Sequence, residues 1–277
     1  MSVCSIMENL PLVSVVMATF NESADFISKA IESILEQTYN NLELLILDDS
    51  TSESIRGLID SYESQDTRIK VIRKAERMKF IPALNIGLQC AKGKYVARMD
   101  ADDIALKDRI EKQVNFMERN PAVAVCGGAI NIINEKNEIT GERFYPLKCK
   151  RMAIYRNPLA HPTVIMRKEN INNGFVYNEK LKNAEDLDLW LRYITNGYAL
   201  CNLKDKLLNY RVCGDLAMKR GKEQFQTDLK IRISHFSFRF FFFSICSIVA
   251  GFLLTCLPLR IFSYLYKKEN ESIIVHR

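Results

Sequence analysis

The stretch "KGKYVARMDADDIALKDR" (residues 92–109) places three carboxylates directly after a short apolar run. The run, KYVARM at 94–99, is typical of a buried strand, and Asp100, Asp102 and Asp103 follow it. Like charges this close repel one another unless a cation binds among them. Because hard oxygen ligands suit Mg²⁺ or Mn²⁺, the stretch predicts a metal site at the end of a strand.

Three further strand-like segments precede this one, and each is followed by a helical pattern. The segments are LVSVVMATF (12–20), LELLILDD (42–49) and RIKVIR (68–73). Apolar spacing predicts the intervening helices at about 26–35, 53–62 and 82–93. Alternating strands and helices with short connections predict an α/β fold in which helices cover a parallel sheet.

Polar clusters end three of these strands, at Thr19–Glu22, at Asp48 and Asp49, and at Asp100–Asp103. Parallel sheets bind ligands at the carboxyl ends of their strands, so we expect the clusters to share one cleft. A divalent ion held by few carboxylates completes its shell with water and substrate phosphates, which predicts a nucleotide or diphosphate ligand. No P-loop or G-x-G-x-x-G turn is present. The alternative is that Asp102 or Asp103 only caps a helix expected at about 106–119.

The 277-residue chain is 48% apolar and 26% charged, which suits one main domain with a substantial core. Its eight cysteines form no C-x-x-C pair, so they favour a reducing compartment over a disulfide framework or a zinc site. The segment before Pro11 lacks the basic start and long apolar run of a secretory signal. We therefore expect the main domain to lie in the cytosol.

The last quarter of the chain is basic and contains a long apolar stretch. From Lys204 onward there are 13 Lys and Arg against 6 Asp and Glu. The uncharged stretch FFFFSICSIVAGFLLTCLPL (240–259) would be about 30 Å long as a helix, which predicts membrane contact. A buried C-terminal helix is the alternative. Because basic residues lie on both sides of the stretch, its charge pattern does not decide between a membrane-spanning helix and an interfacial or re-entrant one. These basic residues are Arg232, Arg239, Arg260, Lys267 and Lys268.

Five motifs together resemble the inverting GT-A glycosyltransferases of family 2, most of all the bacterial enzymes that build O-antigen and capsule repeat units. In order, they are VSVVMATFNE, LLILDDS, ALNIGLQCAKGKYVARMDADD, HPTVIMRK and AEDLDLWLR. The resemblance covers about residues 11–215. It implies a Rossmann-like GT-A domain at 1–215, with a nucleotide-sugar part at about 11–105, an acceptor part at about 106–215, and a membrane-associating tail at 216–277.

The resemblance also implies which residues bind the donor. Thr19, Phe20 and Glu22 match the family's T-Y-N-E element, which places the Phe20 ring near the uracil of a UDP-sugar. Asp48 and Asp49 match the D-D that grips the uracil and ribose. A solvated turn at the strand end is the alternative for either aspartate alone.

Asp100 and Asp102 match the family's D-x-D motif, which binds ribose and a metal ion, Mn²⁺ or Mg²⁺. The resemblance leaves Asp103 either in the site or as a helix cap. Arg98 is expected to pair with these carboxylates or with phosphate, and a purely structural ion pair is the alternative. Arg211 is expected to face the phosphates.

The catalytic base is expected in NAEDLDLWLRYITNG (183–197), which has the apolar spacing of an amphipathic helix. By resemblance, Asp186 takes the proton from the acceptor hydroxyl, and Glu185 supports it or binds the acceptor. The alternative is that both carboxylates only stabilise the helix N-terminus. Trp190 is expected in the core. HPTVIMRK (161–168) is expected to form another strand. Its His161 is expected to contact the acceptor or diphosphate, or else to be structural.

Two positions depart from the family pattern. Leu84 stands where an arginine often contacts the nucleotide, so the candidates to replace that arginine are Arg73, Lys74, Arg77 and Lys79. Cys213 stands where the family often has a histidine, so any role of that histidine in binding metal or diphosphate is not expected here.

The resemblance implies a hexosyltransferase that moves glucose or galactose from a UDP-sugar to a sugar on undecaprenyl diphosphate, at the cytoplasmic face of the bacterial inner membrane. The basic, apolar tail suits an anionic membrane surface. Two other classes stay open: a non-catalytic, membrane-tethered nucleotide-sugar binder, and a nucleotidyltransferase, which would need a glycine-rich loop that ATFNESADF lacks. Processive synthesis is disfavoured because no Q-x-x-R-W motif is present.

Overall fold

A computed structural model describes residues 10–213 and 222–256 of the chain. Within these residues a nine-stranded sheet carries helices on both faces. In sheet order the strands run β3-β2-β1-β4-β8-β6-β9-β5, with β7 paired to β6. Their bounds are β1 Val13–Thr19, β2 Leu42–Asp48, β3 Ile69–Ile72, β4 Tyr95–Asp100, β5 Ile104–Ala105, β6 Val123–Ile133, β7 Ile139–Arg143, β8 Ile165–Arg167 and β9 Ala199–Arg211.

The α-helices follow the predicted alternation through the first half of the chain. They are α1 Ala24–Leu35, α2 Glu53–Gln65, α3 Phe80–Cys90, α4 Arg109–Arg119, α5 Cys149–Ala153, α6 Lys168–Asn172, α7 Glu185–Thr195, α8 Lys222–Ser234 and α9 Phe241–Cys256. The α/β prediction is thereby confirmed.

The register of the central strands aligns the polar clusters. Strand β1 pairs in parallel with β2 on one side and with β4 on the other. Thr19 lies opposite Asp48, and Ala18 lies opposite Asp100. Three strands therefore deliver their polar carboxyl ends to one edge of the sheet, as parallel pairing requires.

The second half of the sheet is mixed. Strand β8 runs antiparallel to both β4 and β6, and it therefore joins the first four strands to the rest. The long strands β6 and β9 then pair in parallel, with register shifts near Gly127. Residues 161–168 were expected to form one strand, but His161–Thr163 form a 3₁₀ turn and only Ile165–Arg167 pair as a strand. Pro162 explains the difference, since it has no N–H to donate to a strand ladder.

Two apolar cores lie on the opposite faces of the sheet. Alternate residues of the central strands point to each face, so Val16 and Val96 pack with α3 and α7, whereas Val15 and Ala97 pack with α1 and α4. Trp190 is fully buried in the first core, as expected. The helices α8 and α9 pack against this same core through Ile231 and Phe243.

In the described part of the chain, no single helix has both the length and the apolar composition to cross a bilayer. The segments Gln226–Ser234 and Phe238–Leu253 meet that criterion only as a pair, and they are bent by 109°. The last residues of the predicted 240–259 stretch, 257–259, and the flanking cations Arg260, Lys267 and Lys268 lie outside the described residues.

Gly93 was expected to end helix α3, but the helix ends at Cys90 and Gly93 lies in the turn that leads to β4. A Cβ atom on Gly93 would lie 2.6 Å from the Leu12 carbonyl oxygen and 2.7 Å from the Ser14 nitrogen. The glycine thus allows the turn to approach the start of β1.

We expect Gly93→Ala to lower the free energy of unfolding by about 1–3 kcal/mol, because backbone atoms on both sides leave no room for the methyl group. Gly57→Ala is the matched control. Gly57 lies exposed in α2, where a Cβ atom would meet no other atom within 4 Å, so alanine there should raise stability by about 0.5–1 kcal/mol. Urea denaturation followed by circular dichroism measures both, and equal effects of the two substitutions would contradict this packing.

Candidate active site

A cleft that is open to solvent lies where β1, β2 and β4 end. Its walls come from the strand ends, from the segment before α3 and from α3 itself. They are Ala18, Thr19, Phe20, Glu22, Leu47, Asp49, Arg77, Lys79, Phe80, Ala83, Asp100, Ala101 and Asp102. The predicted convergence of polar strand ends on one cleft is confirmed.

Asp100, Asp102 and Asp103 can each offer a carboxylate oxygen to a common point, since these atoms lie within 4.8 Å of one another. Asp103 Oδ1 accepts the Arg211 backbone N–H at 2.8 Å, whereas its buried Oδ2 has no hydrogen-bond partner. Neither Asp102 nor Asp103 caps α4, whose N-cap residue is Asp108. Three hard oxygen donors with one buried atom left unpartnered fit a divalent cation.

Ionisation of the carboxylates in this cluster is unfavourable, because they are buried close to one another. Burial and the nearby charge of Asp100 raise the pKa of Asp102 to about 6, and they raise the pKa of Asp103 well above its usual range. Asp100 is paired, because the Arg98 guanidinium donates to both of its carboxylate oxygens. Arg98 is itself buried, and its Nε has no partner. The predicted pairing of Arg98 with these carboxylates is therefore present, and it still leaves negative charge uncompensated.

A second buried arginine, Arg109, lies behind this pair and was not singled out from the sequence. Its guanidinium donates to the Arg98 carbonyl at 2.7 Å and to Gln113 at 3.2 Å. Burial lowers the pKa of Arg109 to about 10, while Asp103 opposes that shift. Arg109 therefore remains a cation at neutral pH and contributes positive potential beneath the carboxylate cluster. Its place at the start of α4 gave no signal of this contact.

The two aspartates at the end of β2 have different surroundings. The Asp48 carboxylate is fully buried, accepts the Ser50 N–H and pairs with Arg73 Nε at 2.7 Å. Asp48 is not among the residues that line the cleft. Asp49 does line it, and its carboxylate accepts the N–H groups of Met78 and Lys79. The structure thus brings one of the two predicted donor-binding aspartates into the cleft and leaves the other in a structural ion pair.

Thr19, Phe20 and Glu22 form the opposite wall of the cleft. The Glu22 carboxylate folds back to accept the Thr19 hydroxyl and the Phe20 N–H, at 2.5 and 2.7 Å. The Phe20 ring is exposed, and the Arg77 guanidinium stacks over it at 3.5 Å from the ring centroid. Among the four cations considered in place of an arginine at position 84, Arg77 and Lys79 line the cleft. Arg73 instead forms ion pairs with Asp48 and Asp60.

Arg211, expected to face phosphates, is almost completely buried and bonded to the chain itself. Its Nε donates to the Asp102 carbonyl at 2.7 Å, and its terminal nitrogens donate to the Asn134 carbonyl and the Asn137 side chain. The guanidinium also lies 4.0 Å from the centroid of the Phe26 ring. In this structure Arg211 therefore holds the aspartate turn in place from behind and does not line the cleft.

Glu185 and Asp186 occupy the first turn of α7, after Ala184 in a left-handed conformation at φ 57°. Burial and the neighbouring Asp186 raise the pKa of Glu185 to about 7. The Asp186 carboxylate accepts from the Asn157 side-chain amide and from the Leu187 N–H. Asn157 comes from the loop after α5, and it was missed because a lone asparagine in a loop carries no sequence signal.

His161 lies between this acidic pair and the core. Its Nε2 is 2.7 Å from the Tyr177 hydroxyl, and its Nδ1 is 3.8 Å from Glu185. Burial and the charge of Arg98 lower the pKa of His161 well below its usual value, so the ring is neutral at pH 7. Glu185 and Asp186 do not line the cleft, but the charge of Arg98 acts on Glu185 as well as on Asp100, so the two groups of carboxylates are electrostatically coupled.

Comparison with known sequences supports the family resemblance. The profile of the family described as Glycosyl transferase family 2 matches residues 14–178, more than half of the chain. An uncharacterized glycosyltransferase of Haemophilus influenzae is 36% identical over 240 residues, covering 82% of this chain and 73% of that protein. The O-antigen biosynthesis glycosyltransferase WbnJ of Escherichia coli is 34% identical over 209 residues, covering 73% and 80%. The amylovoran biosynthesis glycosyltransferase AmsE of Erwinia amylovora is 28% identical over 272 residues, covering 94% and 99%.

Solved structures share the fold at low sequence identity. The S. aureus TarS fragment 1–349 in complex with UDP-GlcNAc superposes with a TM-score of 0.62 at 20% identity, covering 80% of this chain and 65% of that one. The mannosyltransferase PcManGT from Pyrobaculum calidifontis, in complex with GDP-Man and Mn²⁺, superposes with a TM-score of 0.63 at 15% identity, covering 95% and 81%. These likenesses support the expected GT-A fold.

We expect Asp102→Asn to stabilise the metal-free protein at pH 7 by up to about 3 kcal/mol, because folding forces an ionised carboxylate into a buried, anionic site. Since the folded-state pKa is raised, this gain should shrink as pH falls from about 6 and vanish below about pH 4. The same substitution should abolish the rise in melting temperature that Mn²⁺ gives the unaltered protein.

Thermal melts with MnCl₂ or EDTA at several pH values measure both effects. Asp108→Asn is the control, because Asp108 is close in sequence but pairs with Lys112 outside the cluster. A metal response that survives Asp102→Asn at full size would show that the cation binds elsewhere.

Proposed function

This chain belongs to glycosyl transferase family 2, and from that premise we propose that it transfers a hexose, with inversion, from a UDP-sugar to a sugar carried on a lipid diphosphate. The observation that carries the proposal is the place of Arg98. Its guanidinium pairs with Asp100 on the nucleotide side of the cleft, and its charge also acts on Glu185 at the start of α7. One arginine thus connects a carboxylate group suited to a cation with a separate acidic pair, an arrangement that fits a transfer between two bound substrates.

The donor side follows from the lining of the cleft. Asp49 offers carboxylate oxygens to a uracil N–H or to ribose hydroxyls, and the exposed Phe20 ring offers a stacking face. Arg77 and Lys79 place positive charge where a diphosphate would lie. This fold holds UDP-GlcNAc in TarS and GDP-Man in PcManGT, which supports a nucleotide sugar as donor. The choice of uridine rests on the match of Phe20 and Asp49 to the family's motifs. Asp48 contributes indirectly by fixing Arg73 and the end of β2.

Asp100 and Asp102, with Asp103 beside them, are the residues that would hold Mn²⁺ or Mg²⁺. The bound ion would offset the negative charge that develops on the departing diphosphate. Arg98 and Arg109 supply fixed positive charge on the same side, and this preorganised field needs no rearrangement during the reaction.

On the acceptor side, Asp186 acts as the general base and Glu185 supports it. The acceptor hydroxyl oxygen attacks the anomeric carbon while its proton passes to the Asp186 carboxylate. The bond between the anomeric carbon and the nucleotide diphosphate breaks, and that electron pair leaves with UDP. Attack from the face opposite the leaving group inverts the anomeric configuration. The Asn157 amide holds the Asp186 carboxylate for this role.

The class of acceptor is inferred from relatives and from the C-terminal helices. WbnJ is described as an enzyme of O-antigen biosynthesis and AmsE as an enzyme of amylovoran biosynthesis, and both products are polysaccharides. The helices α8 and α9 carry exposed apolar side chains, among them Phe241 and Phe242, which suit a membrane surface. We therefore propose an undecaprenyl-diphosphate sugar as acceptor and the cytoplasmic face of the inner membrane as the place of reaction, with glucose or galactose as the sugar transferred.

The test is nucleotide release by the purified full chain with Mn²⁺, UDP-sugars, and a synthetic GlcNAc- or GalNAc-diphospho-lipid. We expect release of UDP that depends on the acceptor, occurs with UDP-glucose or UDP-galactose, and stops on addition of EDTA. Release with GDP-mannose in place of UDP-sugars would contradict the donor class. Tight binding of UDP without turnover on any acceptor would contradict the enzyme itself and indicate a nucleotide-sugar binder.

We expect Asp186→Asn to reduce kcat by at least about 100-fold while UDP affinity stays within about twofold, because the residue acts on the acceptor hydroxyl and not on the nucleotide. Glu185→Gln should have a smaller effect on kcat. Isothermal titration with UDP and steady-state kinetics measure the two quantities.

Asp25→Asn is the matched control for this pair. Asp25 and Asp186 are each the second residue of a helix, so both stabilise a helix N-terminus to a similar degree. If Asp25→Asn lowered kcat as much as Asp186→Asn does, the effect of Asp186 on kcat would come from stabilising a helix N-terminus and not from acting as a base.

A further inference from the structure

Two segments that are distant in sequence expose large apolar side chains on this protein. The first comprises α8, the 3₁₀ turn Phe238–Phe240 and α9. It exposes Phe238 and Phe242 at 84% and 82%, and in addition Ile233, Phe241, Ile245, Val249, Phe252 and Leu253. Side chains of this size are ordinarily covered when they cluster, so this segment requires a partner.

The second segment, residues 144–156, lies in the loop and helix before Asn157. It exposes Phe144, Leu147 and Tyr155 at 43–47%. The same thirteen residues contain four basic side chains and no acidic one; the basic residues are Lys148, Lys150, Arg151 and Arg156. Exposed aromatic residues interleaved with cations are typical of a surface that lies at the headgroup level of a bilayer.

The two segments are in contact. Lys150 Nζ lies 4.1 Å from the centroid of the Phe240 ring. The buried Arg232 guanidinium of α8 donates to the carbonyls of Ala153 and Ile154, and also to the Ser247 hydroxyl of α9. These bonds fix α5 against α8 and α9, so the basic segment and the apolar helices move as one unit.

We propose that residues 144–156 and 230–253 together form one binding surface for an anionic membrane. This proposal rests on the membrane-bound acceptor proposed above, for which the C-terminal helices were the only structural support. It adds a second, internal segment and assigns its cations to lipid headgroups. Lys230 and Arg239 are exposed on the C-terminal segment and carry charge of the same sign.

An anionic bilayer fits this surface better than another protein does, for two reasons. Residues 144–156 and 230–253 contain no acidic residue, so the charge complement must come from the partner. Among the described residues no single helix has the length and apolar composition to cross a bilayer, and α8 and α9 meet at 109°. The pair is therefore suited to lying in the headgroup region, with Phe238 and Phe242 inserted.

The surface leads directly to the proposed base. His235, between α8 and α9, bonds the Asp188 carboxylate of α7 at 2.7 Å, one turn from Glu185. At the other end, residues 144–156 run into Asn157, whose amide bonds Asp186. A bilayer held against this surface would therefore place the lipid-linked hydroxyl close to the first turn of α7.

Vesicle flotation of the full chain tests the proposal, with phosphatidylcholine alone and with phosphatidylcholine containing about 30% phosphatidylglycerol. We expect binding to the anionic vesicles only, and at least about tenfold weaker binding for Lys148→Gln/Arg151→Gln, whose side chains are exposed. Phe238→Ser/Phe242→Ser should weaken binding to a similar degree. Lys107→Gln/Lys136→Gln is the matched control, because both lysines are exposed but lie outside the surface, and it should bind as the unaltered chain does.

Turnover on a soluble acceptor analogue and the melting temperature should be unchanged in the lysine and arginine variant, which separates binding from folding. Normal vesicle binding by Lys148→Gln/Arg151→Gln would overturn the proposal and leave the apolar helices as the sole contact. Equal binding to neutral and anionic vesicles would also overturn the proposal. Binding to neither kind of vesicle would overturn it as well, and would favour a protein partner for this surface. Vesicle binding as expected with no turnover on any acceptor would instead contradict the proposed reaction.

Discussion

The ion pair between Arg98 and Asp100 is the interaction on which the site depends. Strand β4 carries both residues near its end, where Arg98 is buried, Asp100 is half-buried and two further aspartates lie close by. A carboxylate left there without a partner would be protonated or would expand the site. The pair compensates the charge of Asp100 and fixes the direction of its oxygens. It leaves Asp102 and Asp103 repelled by like charge, and a cation bound between them would relieve this residual repulsion.

Three arginines stabilise the acidic turn at residues 100–103, each through different contacts. Arg98 holds Asp100 from the strand, Arg109 supports the Arg98 carbonyl from below, and Arg211 fixes the Asp102 carbonyl from β9. Each makes bonds whose geometry the sheet and helices already set. The turn is therefore rigid before any ligand arrives, and a rigid set of charges is what makes electrostatic stabilisation effective in an enzyme. Arg211 contributes to the site in this way although it does not line the cleft.

The sequence allowed the first four strands, their helices and the shared cleft to be predicted, because those signals are local. Apolar runs that end in charged residues mark parallel strand ends without any knowledge of distant partners. The long pair β6 and β9 could not be predicted in this way, since their pairing joins residues far apart in the chain. Neither could Asn157, whose role arises only when its loop meets α7. Asp48 and Asp49 are adjacent and chemically alike, so only the direction in which each side chain leaves the strand separates a buried ion pair from a cleft wall.

The placement of the acidic pair on α7 connects catalysis to the outer surface of the protein. Asp188 lies on the same helix as Glu185, and its carboxylate is shared between Arg192 and His235. Those two partners come from different elements, Arg192 from α7 itself and His235 from the turn after α8. Because a buried carboxylate with two such partners resists displacement, α7 is held firmly between the core and α8. The helix that carries the proposed base thus takes its position from the same elements that expose the apolar surface. A lipid-bound acceptor would meet a base whose distance from the membrane the fold has already set.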